Sequence, residues 1–168
     1  MVGDRGSAGP GEWVLLSYRL PREPSTPRIS VWRKLKRLGI AQISDGLVAL
    51  PSDARTREQL EWIADEVIEA GGSAGIWLAR PAALAQEHDL AAGLAAARAA
   101  EYLGVIAQAA DARAADESTR GVTAGRLRAE LRRIARRDYF PPAERDQARA
   151  AVQDLLDQAG AERMEERL

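Results

Sequence analysis

The first half of the chain alternates short apolar runs with longer amphipathic stretches, and turn residues separate them. The run WVLLSY, Trp13 to Tyr18, ends at PREPSTP, where three prolines in seven residues exclude regular secondary structure. The runs IAQIS and LVALP are separated by Asp45-Gly46, a pair that favours a two-residue hairpin turn. AGIWLA is a fourth apolar run, before Pro81. The predicted order of elements is therefore β-α-β-β-α-β.

Two amphipathic stretches occupy the helix positions in this order. The first starts in the proline-rich segment and ends at Gly39. Thr56 with Gln59 resembles a capping box that opens the second, which ends at Gly71-Gly72. This split βαβ arrangement predicts an α+β fold, a ferredoxin-like βαββαβ sandwich whose first and third strands are central.

After Pro81 the sequence becomes Ala-rich and helical, without strand signals. We predict one long helix over about Ala82 to Ala115, a break at ESTRGVT, and further helices over Thr123 to Asp138 and Glu144 to Gln158. An α-helical hairpin or small helical bundle should therefore follow the sandwich. The chain then divides into a flexible leader (1–11), the sandwich (12–80) and a helical extension (81–168).

Composition argues against several classes of site. The chain has no cysteine, which excludes disulfides, thiolate metal sites and thiol redox chemistry within it. No uninterrupted apolar run reaches about 18 residues, so we expect no membrane span and a cytoplasmic location. His88 is the only histidine, and no further ligands are placed to hold a metal with it. Without a phosphate loop, catalytic triad or cofactor motif, we expect a protein that is not an enzyme.

The four tryptophans could either form a stacking platform for bases or belong to the core. Trp32, Trp62 and Trp77 lie on predicted elements whose apolar faces must be buried. We therefore interpret these three as core residues. Trp13 is the least certain, because it is the first residue of its strand.

Charge is unevenly distributed, although the formal net charge is only −1. Trp13 to Ser44 contains seven Arg or Lys against one Glu, and four of these cations fall within one arc of about 160° on the first helix. Two interpretations stay open: a surface for a polyanion, or pairing with acids of the neighbouring helix, namely Glu58, Glu61, Asp65, Glu66 and Glu69. A second basic segment, Arg126 to Arg137, slightly favours binding.

Two long stretches of this sequence are similar to a known family. EWVLLSYRLPREPSTPRISVWRKLKRLGIAQISDGLVALP, followed by TREQLEWIADEVIEAGGSAGIW, resembles the N-terminal domain of ChrB, a family of bacterial regulators of chromate-resistance operons. The similarity extends through RAAEY and RRIARRDYF. The resemblance implies binding to operator DNA. Full-length members carry a further chromate-resistance domain not found in this sequence, which would leave chromate sensing to a separate partner chain.

A weaker resemblance links the sandwich to Cas2-like and PaaX-type proteins. Cas2 nucleases end their first strand with an Asp that supports metal-dependent cleavage. Arg19 stands at the matching position, in Tyr18-Arg19-Leu20-Pro21, and a cation cannot hold a catalytic Mg²⁺. Nuclease activity is therefore not expected.

Together these observations predict a DNA-binding transcriptional regulator of the ChrB type that binds double-stranded DNA as a homodimer and uses no cofactor or metal. The alternative is a non-enzymatic protein-interaction module that partners a separate chromate-sensing chain. The basic residues expected to contact DNA, mostly at phosphates, are Arg19, Arg22, Arg28, Arg33, Lys34, Lys36, Arg37, Arg132, Arg133, Arg136 and Arg137.

Overall fold

The computed structural model describes residues 11–168, so all but the last residue of the expected leader lies outside the described chain. By its contacts the chain forms two compact units, which divide between Leu94 and Ala95. The elements in chain order are β1 (Trp13–Arg19), α1 (Thr26–Leu38), β2 (Ala41–Ser44), β3 (Leu47–Pro51), α2 (Ala54–Glu69), β4 (Ser73–Ala79), α3 (Leu84–Ala112), α4 (Glu117–Ala135) and α5 (Glu144–Glu165).

The first unit is built on a four-stranded antiparallel sheet in the order β2-β3-β1-β4. The predicted α+β class is confirmed, and β1 and β3 are the central strands, as expected. Val14 pairs with Leu50 on β3 and with Leu78 on β4. Val14, Leu16 and Leu50 are fully buried, and each such side chain stabilises the fold by about 1.5–3 kcal/mol through burial of its apolar surface.

Helices α1 and α2 supply the other half of this core. Val31 and Leu35 of α1, and Leu60 and Val67 of α2, are completely buried. Helix α2 contacts β1 and β4, and α1 contacts α2. The apolar arcs found in the sequence therefore face the core, which leaves the polar arcs of both helices toward solvent.

The start of α2 differs from the predicted capping box. Asp53, with extended backbone, is the N-cap, and its carboxylate accepts a hydrogen bond from the Thr56 amide at 2.7 Å. The Thr56 hydroxyl accepts in return from the Asp53 amide at 3.0 Å. Thr56 is thus the last residue of the box, and Gln59 takes no part. The error arose because Asp and Thr both suit the first cap position.

The second unit is a small bundle containing α4, α5 and the part of α3 that follows Leu94. Tyr102, Val105, Leu127, Ile134 and Val152 are among the buried side chains that form its core. This agrees with the predicted helical bundle, although two helix boundaries are different.

The predicted break at ESTRGVT is wrong, because α4 already begins at Glu117. Asp116 caps the helix: its carboxylate accepts from the amide of Thr119 at 2.9 Å and from the hydroxyl of Thr119 at 2.8 Å. The cap hydrogen bonds lower the pKa of Asp116, so the cap is present as a carboxylate. Helix α5 also continues further than predicted, to Glu165.

Helix α3 is, by length and composition alone, apolar enough to cross a membrane. Its most apolar window of 18 residues has a mean hydropathy of 1.4, and 22% of that window is buried in the structure. Core helices of soluble proteins pass the same test, and α3 contributes Tyr102, Val105 and Ala109 to the second unit's core. The sequence-based expectation overlooked this window because it counted only uninterrupted apolar runs.

Candidate nucleic-acid interface

Three of the predicted DNA-binding arginines converge on one open cleft in the first unit. Arg19 ends β1, Arg22 lies in the proline-rich loop, and Arg28 lies in the first turn of α1. All three line a cavity of about 740 Å³, together with Trp32 of α1 and residues of the β2–β3 turn. These arginines are close in space although the chain between them has no regular structure from Leu20 to Ser25.

The β2–β3 turn forms one wall of this cleft and is fixed to β1. The Tyr18 amide donates a 2.8 Å hydrogen bond to the carbonyl of Gly46. Gly46 has φ of 72°, and a Cβ atom there would lie 2.5 Å from the Tyr18 carbonyl oxygen. Only glycine therefore allows the turn to approach β1 this closely. The hairpin turn predicted at Asp45-Gly46 is confirmed.

The cleft is strongly cationic and open to solvent. Arg19, Arg22 and Arg28 form no ion pair with any residue in 11–168. Asp45 is the single acid among the residues that line the cleft. Burial raises the pKa of the Tyr18 phenol, against the smaller lowering effect of Arg28, so the phenol stays a neutral donor. The arrangement suits an anionic ligand with several oxygen acceptors.

The basic face of α1 adjoins the cleft, because Arg28, Ile29 and Trp32 belong to both. Arg33, Lys36 and Arg37 are exposed, and Lys36 lies over the Trp32 ring at 5.5 Å from its centroid. Lys34 instead pairs with Glu66 of α2 at 2.6 Å. Of the two interpretations left open by the sequence, internal pairing therefore accounts for Lys34, and the other three cations face solvent.

Acids on α2 limit how far this cationic surface extends. Glu58, Asp65 and Glu69 are exposed and follow the same stripe of α2 as Trp62, at distances of four, three and seven residues from it. Trp62 and Glu66 line a groove with Lys34 and Arg37 of α1. A polyanion would be repelled on this side of α1 and attracted on the cleft side. The cleft with Arg33 and Lys36 is therefore the best candidate surface for nucleic acid.

Part of the second basic segment, Arg126 to Arg137, forms ion pairs within the second unit. Arg137 binds both carboxylate oxygens of Glu101, at 2.6 and 2.8 Å, and Arg133 pairs with Glu130 at 2.6 Å. Arg132 and Arg136 are exposed. The surplus charge from which DNA contacts were inferred is thus partly used internally, and contact of Arg133 and Arg137 with DNA stays a prediction.

A buried polar network in the second unit connects RAAEY, a segment of α3, with RRIARRDYF, the segment at the end of α4. The Tyr102 hydroxyl donates to Asp138 at 2.7 Å, and Arg98, which is 8% exposed, lies 2.7 Å from Glu101. Burial and the hydrogen bond to Asp138 raise the pKa of Tyr102, while burial lowers that of Arg98. Sequence reasoning missed this network, because its members lie 36 to 39 residues apart along the chain.

The interpretation of the tryptophans was wrong for two of the four. Trp62 and Trp77 are 66% and 58% exposed, whereas Trp13 is 2% exposed. The Trp13 indole donates a 2.9 Å hydrogen bond to Glu87, which satisfies its polar atom and allows burial at the start of β1. Trp62 lies on the exposed stripe of α2 with Glu58 and Asp65, so its place on an amphipathic helix did not imply burial.

The described residues contain no group of three or more metal-ligating side chains, and His88 is exposed on α3. The chemistry available at the cleft is therefore that of arginine, tyrosine and tryptophan: charge-assisted hydrogen bonding and stacking.

Comparison with known proteins identifies the family. The family model described as "Protein ChrB, N-terminal" matches residues 28–120, more than half of the chain. The chain belongs to the ChrB N-terminal family. It is also 28% identical over 140 residues to Protein ChrB from Cupriavidus metallidurans. That alignment covers 77% of this chain and 40% of the relative, so the chain matches only about two fifths of that ChrB protein's length.

The ChrB N-terminal match begins at Arg28 and runs through α1, the remaining strands, α2 and α3 into the first turn of α4. It includes the α1 part of the cleft but not Arg19 or Arg22. Among solved structures, an uncharacterized protein from Mycobacterium tuberculosis is similar, with a TM-score of 0.55 and 20% identity. The similarity covers 98% of this chain and 67% of that protein, and at this identity it concerns the fold.

Proposed function

We propose that this chain is the DNA-binding part of a ChrB-type transcriptional regulator connected with chromate resistance, acting in the cytoplasm and without catalytic activity. The observation that carries the proposal is the convergence of Arg19, Arg22 and Arg28 on one solvent-open cleft beside the exposed basic face of α1. Membership of the ChrB N-terminal family supports it. We also propose that the first unit has a ferredoxin-like sandwich fold.

Double-stranded DNA fits this surface better than a small anion does. The cleft is open to solvent, its arginines are exposed, and the cations continue along α1 through Lys36 and Arg33. At such an open site water competes with a small anion for the cationic side chains, whereas the successive phosphates of DNA bind all the cations at once. Guanidinium groups suit phosphate because they donate paired hydrogen bonds. These contacts would position the DNA without reading its sequence.

Chromate sensing is proposed to need more than this chain. The chain matches 40% of the length of Protein ChrB from Cupriavidus metallidurans. We propose that a chromate-resistance domain supplies the response to chromate. The second candidate function, a protein-interaction module, is favoured by the exposed Trp62 beside the α1–α2 groove.

DNA affinity of cleft variants tests the proposal. We expect Arg22→Ala with Arg28→Ala to weaken binding to a fluorescein-labelled duplex of about 30 base pairs by at least tenfold at low salt, measured by anisotropy. The control is Arg57→Ala with Arg113→Ala, which removes the same charge from side chains that are 54% and 52% exposed and already in ion pairs. Equal losses for both pairs would show a general effect of net charge and would reject the cleft.

A further inference from the structure

The α1–α2 face of the first unit carries an exposed aromatic side chain among charges of both signs. Trp62 is 66% exposed, and its indole has no hydrogen-bond partner within residues 11–168. It borders a groove of about 380 Å³ whose apolar part includes Leu38 and Ile63. An exposed tryptophan that borders an apolar groove and is surrounded by charged residues is typical of a surface that another protein covers.

The charges on this face are arranged in two adjacent stripes of opposite sign. On α1, Lys34 and Arg37 line the groove, and Arg37 is exposed and has no ion-pair partner in the described chain. On α2, Glu58, Asp65 and Glu69 are exposed and likewise unpaired. Only Lys34 and Glu66 pair across the two helices of one chain. Most charges on this face therefore have no ion-pair partner within residues 11–168; Arg55, Lys34 and Glu66 are not among them.

We propose that this face is the contact between two copies of the chain, related by a two-fold axis near Trp62. In such a dimer the basic stripe of α1 meets the acidic stripe of the partner's α2, and by symmetry the reverse contact forms as well. A partner with one sign of charge would match only half of the face, whereas a second copy supplies both signs. Trp62 would pack against the other copy's groove, as a central aromatic anchor within a polar rim.

The proposal is independent of DNA binding, because its residues differ from those that line the cleft. The cleft is lined by Arg19, Arg22 and Arg28, whereas the groove is lined by Lys34, Arg37 and Leu38 of α1.

Charge reversal with complementation tests the dimer. One variant carries Arg37→Glu, and the other carries Asp65→Lys and Glu69→Lys. In a homodimer of either variant, α1 of one copy and α2 of the other would carry charges of the same sign. We therefore expect both variants to sediment as monomers in analytical ultracentrifugation at about 10 μM. Mixed together they restore opposite charges at both contacts, so a heterodimer should form, which a mass tag on one variant would identify. Trp62→Ala should also be a monomer, with an unchanged circular dichroism spectrum because its side chain is largely exposed.

Three results would overturn the proposal. The unmodified protein could remain monomeric up to about 100 μM, which would show that the face is not used between copies. It could dimerise without any effect of Trp62→Ala or of charge reversal, which would place the contact elsewhere. Both reversed variants could be monomeric yet fail to combine, which would exclude the proposed matching of α1 with the partner's α2. DNA affinity of the cleft variants is read separately, so failure of either proposal leaves the other testable.

Discussion

Tyr102 shows how a single hydroxyl group stabilises the second unit. It is 1% exposed and donates to Asp138, whose other carboxylate oxygen is buried and has no hydrogen-bond partner among residues 11–168. Tyr102→Phe removes the donor and leaves a poorly satisfied buried carboxylate, which should lower the free energy of unfolding by about 1–3 kcal/mol. Urea denaturation measures this, with the exposed Asp111→Ala on the same helix as control. A Tyr102→Phe value within the control's range would contradict the account.

The same residue gives a pH dependence with a defined sign. The folded pKa of Tyr102 is raised above its ordinary value of 10.0, mainly by burial and then by Asp138. Its contribution is therefore complete below about pH 10 and is lost as pH rises toward the folded pKa. At pH 11 the stability advantage of the unmodified protein over Tyr102→Phe should be about 1 kcal/mol smaller than at pH 8. Tyr18 is present in both proteins and cancels in this comparison. An advantage that does not shrink would contradict the assigned pKa direction.

Arg137 and Arg132 separate structural from binding roles within one basic segment. Arg137→Ala removes both hydrogen bonds to Glu101 and should destabilise the protein by about 1–3 kcal/mol, whereas the exposed Arg132→Ala should change stability by less than about 0.5 kcal/mol. Thermal and urea unfolding provide the measurement. If Arg137→Ala left stability unchanged and weakened DNA binding, the residue would be a phosphate contact, as the sequence first indicated.

At the scale of elements, two glycines should respond to alanine in opposite directions. Gly46→Ala forces a side chain into a left-handed conformation against the Tyr18 carbonyl, and should cost at least about 1–2 kcal/mol. Gly104→Ala lies in α3, where a Cβ meets nothing within 4 Å, and should stabilise by about 0.5–1 kcal/mol. Melting temperatures followed by circular dichroism give both signs. Equal effects would show that the turn is not held as closely to β1 as described.

The elements that sequence reasoning predicted well are those with strong local signals. The Asp45-Gly46 turn, the end of α1 at Gly39 and the four strands follow from residue types that act within a few positions. Helix starts were less predictable: the boundary of α4 depended on whether Asp116 or a later residue caps it. Several residues could each satisfy the first amides of a helix, and only the packed structure decides among them.

At the scale of the whole molecule, the cationic residues were predictable but their use was not. Sequence counts found the basic cluster, yet could not tell that Lys34 and Arg137 are held by acids while Arg19, Arg22 and Arg28 meet in a cleft. Such pairing depends on contacts between residues more than 30 positions apart. The exposure of Trp62 was missed for a different reason: burial was inferred from the helix as a whole, although Trp62 lies on the exposed stripe of α2 with Glu58 and Asp65.

The salt dependence of DNA binding tests the central claim most directly. If Arg19, Arg22, Arg28, Arg33 and Lys36 each neutralise one phosphate, log K should fall with log salt at a slope of about −4 to −5. Replacing Arg22 and Arg28 by alanine should flatten that slope by about 2, because two phosphates keep their counterions. A slope that stays the same in the double variant, or binding that barely responds to salt, would contradict the assignment of the cleft as the nucleic-acid interface.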